Sequence, residues 1–186
     1  MKKAIFTLFV AIASLGVFAQ DGEQASKTNL TKSYLTVEVA ANNFTGRVEG
    51  DEFILQGYIY PEGTLNETNG INADGSAEFP ELLLGTWTCS GWFEIVRDET
   101  VTPVGARTVQ TFEFDMTNVG ENMLVTFGYE QFRGTDVFVR VVTGTSGVYG
   151  NNAGVQTQSV LGANASGGRN YHSVFSEDIA YNFKDK

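Results

Sequence analysis

The sequence contains only one cysteine and one histidine among its 186 residues. A lone cysteine forms no intramolecular disulfide, and we favour a small buried strand residue over a reactive thiol for Cys89. His172 has no second histidine and no cysteine or acidic neighbour at the spacing of a zinc site. A surface or hydrogen-bonded core histidine is therefore favoured over a catalytic one. A cysteine–histidine nucleophile has little basis here, and we predict no metal site and no cofactor.

Positive charge is also scarce. Lysine and arginine number 12 against 22 aspartates and glutamates, for a formal net charge of -10. Such an acidic chain lacks the basic surface that nucleic acids and anionic membranes attract. We therefore exclude both as partners.

Long apolar runs are confined to the N-terminus. Lys2 and Lys3 precede an apolar segment, and Val17-Phe-Ala19 is typical of a small-residue cleavage site. Residues 1–19 are therefore predicted to be a secretory signal, cleaved near Ala19, so that the protein is exported to the periplasm or the extracellular space. A membrane anchor is the less favoured alternative, because the run is short and no stop-transfer charges follow; no membrane insertion is expected after processing.

The remaining chain lacks any sustained helical period of apolar residues. Residues 20–32 are polar and are expected to be a flexible mature N-terminus, and residues 33–186 are expected to form one domain. Period-two alternation and turn residues recur throughout that domain. Candidate strands lie at 35–39, 53–59, 85–96, 108–116, 123–132, 136–142, 171–175 and 179–183. The predicted fold is all-β, a closed antiparallel barrel of about eight strands, since closure removes exposed strand edges.

A glycine-punctuated stretch, Val141 to Gly154, runs from a strand through a short compact segment around Tyr149 and back into a strand. It resembles the Thr-Gly-Gly-Thr-Gly-x-Tyr/Phe-x-x-Ala-x-Gly segment of the allene oxide cyclase and dirigent superfamily, although Thr145 and Ser146 stand where that family has Gly-Thr. Two further stretches are similar to bacterial members of the family, Gly57–Thr64 and Leu84–Phe93, and the resemblance spans roughly residues 50–183. It implies a small barrel with a mostly apolar, lipocalin-like cavity.

Several residues are candidates for a site in such a barrel. Small barrels hold one modest ligand among apolar side chains and a few polar groups. The predicted ligand-binding residues are Trp87, Phe112, Phe114, Arg140 and Tyr149. For Trp87 a place in the core is the favoured assignment. Arg140 is expected either to orient a carboxylate ligand near Glu113 or to form an exposed cross-strand ion pair.

Two carboxylates, Glu113 and Asp115, are the candidate catalytic residues. If Phe112, Phe114 and Met116 pack outward, both acids face the interior, and desolvation raises the pKa of each as general acid–base catalysis requires. The favoured alternative places the phenylalanines in the core and leaves the acids solvated.

Three functions remain open at this stage. The first is a secreted barrel that binds a small apolar molecule, lipid-like or phenolic. The second is an enzyme, a cyclase or isomerase acting by shape and one carboxylate, or a guide for phenol coupling, as the resemblance implies. The third is an extracellular structural or surface protein. The order of preference is binder, enzyme, structural protein.

Overall fold

The computed structural model describes residues 50–94, 105–131, 137–150 and 153–176, together with the backbone of 32–39. The predicted signal sequence, the N-terminal segment before residue 32 and the strand predicted at 179–183 lie outside these residues.

Antiparallel strands make up most of the described chain, so the all-β prediction is confirmed. The strands are β1 (Lys32–Val39), β2 (Glu52–Pro61), β3 (Gly85–Glu94), β4 (Gly105–Glu113), β5 (Met123–Gln131), β6 (Val137–Thr145), β7 (Gly154–Ala163) and β8 (Arg169–Ser176). Strands β2 to β8 pair antiparallel in chain order and form a curled half-barrel sheet. The helical content consists of two single 3₁₀ turns, Pro80–Leu82 and Gly147–Tyr149.

The first strand contributes its backbone to both ends of this sheet. Val37 of β1 lies opposite Tyr58 of β2, and Thr36 lies opposite Tyr171 of β8. Both pairings are antiparallel. The backbone hydrogen-bonding groups at the two ends of the sheet therefore meet the same strand.

The inner face of the sheet carries the core. On β3, Trp87, Cys89 and Phe93 are buried, whereas Trp92 on the opposite face is 40% exposed. This alternation is the one that the period-two pattern predicts, and the favoured interpretation of Cys89 as a small buried residue is confirmed. Strand β6 exposes Val137, Val139 and Val141 on its outer face, whereas its inner face buries the charged Arg140 beside Phe138.

The glycine-punctuated stretch turns back onto the β4–β5 connection. Gly147 has a φ of +57°, and a Cβ there would lie 2.0 Å from the carbonyl oxygen of Glu121. The Ser146 hydroxyl donates to the carbonyl of Gly120 at 2.8 Å, and Val148 N donates to Asn122 Oδ1 at 3.0 Å. Only a glycine at 147 allows this approach, and it brings Tyr149 into the core.

Candidate functional site

An aromatic cluster fills one part of the interior. The ring centroids of Phe112 and Phe175 are 5.1 Å apart in an edge-on arrangement, and those of Trp87 and Tyr171 are 5.9 Å apart. The four predicted apolar ligand-binding residues, Trp87, Phe112, Phe114 and Tyr149, all belong to or pack on this cluster. These large, rigid rings pack on one another and form the hydrophobic core of this part of the interior.

A buried ion pair lies beside the aromatic cluster, and it places Arg140 differently from either prediction. The Arg140 side chain is fully buried, and its Nη1 lies 2.6 Å from Oε1 of Glu130, whose side chain is 16% exposed. Arg140 Nη2 donates to the carbonyl and hydroxyl oxygens of Thr108, and Nε donates to Thr126 Oγ1 at 3.3 Å. The cross-strand ion pair of one alternative is present, but it is buried rather than exposed, and the position near Glu113 in the other alternative is wrong. A planar guanidinium with every nitrogen engaged is held in one orientation.

A glycine on the neighbouring strand makes room for this arginine. Gly128 lies directly opposite Arg140 in the β5–β6 register. A Cβ at Gly128 would lie 2.9 Å from Cγ of Arg140. Because glycine has no side chain, the space beside Gly128 stays open, and the Arg140 side chain passes through it.

A chain of amide groups extends from the ion pair, and the carboxylate sets its direction. Glu130 Oε1 accepts from Gln110 Nε2 at 3.1 Å, and that nitrogen also donates to Gln158 Oε1 at 2.9 Å. Gln110 Oε1 in turn accepts from Gln156 Nε2 at 3.1 Å, and Gln156 Oε1 accepts from the Thr126 hydroxyl at 2.7 Å. A carboxylate paired with arginine only accepts hydrogen bonds, so it fixes which end of each amide is the donor.

The series of amide hydrogen bonds ends at a donor that has no acceptor among the described residues. Gln158 is fully buried, and its Nε2 has no hydrogen-bond partner among the residues that the structure describes. The same is true of the indole Nε1 of Trp87 in the aromatic cluster. Tyr129 Oη also lacks a partner among the described residues, but it lies on an outward-facing position of β5. His172 Nε2 lies on an outward-facing position of β8, 3.5 Å from Glu62 Oε1. Buried donors normally have a partner, so the inward-facing donors of Gln158 and Trp87 are exceptions within the described part of the chain.

The polar and apolar parts of the interior share a boundary. Gln110 and Phe112 occupy successive inward positions of β4, and their register partners on β3 are Cys89 and Trp87. On β8, Ser173 lies between Tyr171 and Phe175 and is the register partner of Gln158. A molecule with an apolar body and a polar end would therefore meet both surfaces at once.

The two predicted catalytic carboxylates are not brought together in the interior. Phe112 is fully buried, so Glu113 takes the opposite, outer face of β4. Asp115 lies in the turn after β4, where it accepts hydrogen bonds from the backbone and hydroxyl of Thr117 and from the backbone and side chain of Asn118. These bonds, the Thr117 hydroxyl first, lower the pKa of Asp115 to about 2. The alternative in which both acids face the interior with raised pKa values is therefore wrong for Asp115, because hydrogen bonds favour its charged carboxylate. The favoured alternative, a buried Phe112 with Asp115 outside the core, agrees with the structure.

Asp115 should make the free energy of unfolding depend measurably on pH in the acid range. Its pKa falls from 3.8 to about 2 on folding, so the stabilisation is fully present above about pH 4 and is lost as the pH falls towards 2. We expect Asp115→Asn, which still accepts hydrogen bonds but does not titrate, to remove the part of the pH dependence of unfolding free energy that Asp115 contributes in acid. A carboxyl-carbon NMR titration of wild type should give a pKa near 2. Thr117→Val should raise it; an ordinary value in wild type would contradict the assignment.

Sequence reasoning missed most of the polar interior. The residues are Thr108, Gln110, Thr126, Glu130, Gln156, Gln158 and Ser173. The sequence of β4 does indicate two of them, because Thr108 and Gln110 lie four and two residues before Phe112. Residues at alternate positions of a strand face the same side, so all three point inward. On β6 and β7, the inward positions mix Phe138 and Val142 with Arg140, Gln156 and Gln158, so hydrophobicity alone does not identify the inner face.

Among the described residues, no group of three or more His, Cys, Asp or Glu side chains is placed to hold a metal ion. Within that same part of the chain, no helix has the length and apolarity required to cross a membrane.

Comparison with protein-family models, curated proteins and solved structures gives no match. By its geometry, the protein belongs to the all-β class. Its curled sheet carries a polar network and an aromatic cluster on the inner face. The resemblance to the allene oxide cyclase and dirigent superfamily stays a prediction.

Proposed function

We propose that this chain is an exported β-barrel protein that binds one small, mostly apolar molecule, lipid-like or phenolic, in its interior. The antiparallel registers of β1 with both β2 and β8 support closure of the sheet into eight strands. An eight-stranded barrel has an interior of the size that holds either packed side chains or one small ligand. Export rests on the signal-like N-terminal sequence.

The observation that carries the proposal is the pair of buried donors beside an aromatic surface. Trp87 Nε1 and Gln158 Nε2 lack partners among the described residues, and Trp87 contacts Tyr171 in the cluster. Leaving a buried donor unsatisfied costs about 1–3 kcal/mol. A bound molecule that covers the rings and accepts a hydrogen bond would recover that cost.

The enzyme alternative has less support. The interior carboxylate, Glu130, is engaged by Arg140, Thr108 and Gln110 through a single oxygen, Oε1. Glu113 and Asp115 lie outside the interior. A cyclase of the kind that the family resemblance implies would therefore act here mainly by shape and hydrogen bonding, because the interior carboxylate is already paired with Arg140.

A structural role has one specific observation in its favour. The outer face of β6 exposes Val137, Val139 and Val141, each about half accessible. Phe127 and Val155 flank Val141 on the neighbouring strands. Contiguous exposed apolar side chains of this kind occur at association surfaces.

We expect the neutral probe N-phenyl-1-naphthylamine to bind saturably, with one molecule per chain and blue-shifted emission. Trp87→Phe should weaken its affinity about three- to tenfold, because the larger indole is lost from the aromatic surface. Fluorescence titration measures both quantities, with circular dichroism confirming that each variant is folded.

Two controls separate the interior from the outer surface. Trp92→Phe changes the exposed tryptophan of the same strand, and Val139→Thr makes the outer face of β6 more polar. Both should leave probe affinity unchanged. If either control weakens binding as much as Trp87→Phe, the probe binds outside and the proposal fails.

A further inference from the structure

We infer that the interior ligand presents a neutral hydrogen-bond acceptor, of the ketone, ester or amide carbonyl class, to the side-chain amide of Gln158. This inference rests on the proposed function and deepens it. The unpartnered atom of Gln158 is its Nε2, and the matching group on a ligand must accept a hydrogen bond.

The direction of the amide chain supports this assignment. Turning the Gln158 amide over would place its nitrogen against Gln110 Nε2, which now donates to Gln158 Oε1 at 2.9 Å. Gln110 cannot turn in compensation, because its Nε2 also donates to the carboxylate of Glu130 at 3.1 Å. Two nitrogens would face each other with no acceptor between them, so Nε2 of Gln158 stays directed towards the interior.

The charge balance of the interior selects a neutral ligand over a carboxylate. Arg140 is the one fully buried cation among the described residues, and all three of its nitrogens are engaged by Glu130, Thr108 and Thr126. A carboxylate placed at Gln158 would lose its hydration and gain no cation of its own. A carbonyl oxygen loses far less on leaving water and accepts the same hydrogen bond.

Three ligands with one aromatic body test the inference. These are 2-acetylnaphthalene, which has a neutral acceptor, 2-ethylnaphthalene, which has none, and 2-naphthoate, which is ionised at about pH 7. In isothermal titration calorimetry of the full chain, we expect the ketone to bind about tenfold more tightly than each of the other two, as one added hydrogen bond provides. Gln158→Leu should abolish the ketone's advantage and leave the affinity for 2-ethylnaphthalene within about threefold.

The control is Thr157→Val, an exposed position next to Gln158 on β7, which should leave all three affinities unchanged. If Gln158→Leu does not fold, the side-chain amide protons of Gln158 in wild type provide the readout, and they should shift with the ketone alone. Equal binding of ketone and hydrocarbon would overturn the acceptor inference while leaving the proposed function in place. Tightest binding of 2-naphthoate would also overturn it. Failure of all three ligands to bind would count against the proposed function itself.

Discussion

Replacing Arg140 by methionine should lower the free energy of unfolding by about 3–5 kcal/mol, the range for breaking a buried ion pair by removing one partner. Methionine preserves most of the side-chain volume. The carboxylate of Glu130 loses the 2.6 Å contact with Arg140 Nη1, and the oxygens of Thr108 lose their donor. An uncompensated charge then remains at the edge of the core. Urea unfolding followed by circular dichroism measures the difference.

The exposed ion pair on the outer face supplies the matched control. Arg107 Nε lies 2.5 Å from Oε1 of Glu94, but the two side chains are 49% and 27% exposed. Arg107→Met should therefore cost no more than about 1 kcal/mol. Adding Glu130→Gln to Arg140→Met should restore part of the loss, because the remaining group is no longer charged. Equal costs for Arg140→Met and Arg107→Met would contradict the buried network.

Gly91→Ala should destabilise the fold by about 3 kcal/mol through overpacking. A Cβ at Gly91 would lie 2.1 Å from the carbonyl oxygen of Arg107 and 3.0 Å from Cα of Thr108 on β4. These are backbone atoms, so the strands must move apart to accept the methyl group. The displaced residue, Thr108, is also the one that accepts from Arg140, so the strain reaches the polar network.

Gly144→Ala is the control for this substitution, since a Cβ there would meet Val125 at an ordinary 3.5 Å. Its effect should stay within about 1 kcal/mol, because alanine also restricts the unfolded chain. Thermal unfolding monitored by circular dichroism ranks the two variants. A Gly91→Ala protein as stable as Gly144→Ala would show that β3 and β4 do not approach as closely as described.

The strands and several faces could be predicted from the sequence because alternation is a local property of the chain. On β3, the aromatic and small residues at every second position lie on the inner face as expected. Strand β4 ends at Glu113 rather than at the predicted Met116, because Asp115 forms side-chain hydrogen bonds with Thr117 and Asn118. The turn that follows contains Gly120 with a φ of +86°, a conformation that favours glycine.

The polar half of the site could not be predicted in the same way. Alternation on β6 separates Arg140 from Val139 and Val141, but it does not say which set faces inward. That choice depends on partners distant in sequence, above all Glu130 and Thr108. The hydrogen bond from Gln110 to Gln158 spans 48 residues, a separation that no local pattern reports.

Native mass spectrometry of the protein purified from its own source tests the central claim, a small molecule held in the interior, most directly. Under native conditions we expect a mass excess equivalent to one small molecule per chain, lost when the protein is unfolded. The released molecule should be mostly apolar. Identical masses under native and unfolding conditions would contradict an interior binding site and would favour the structural role of the exposed β6 face.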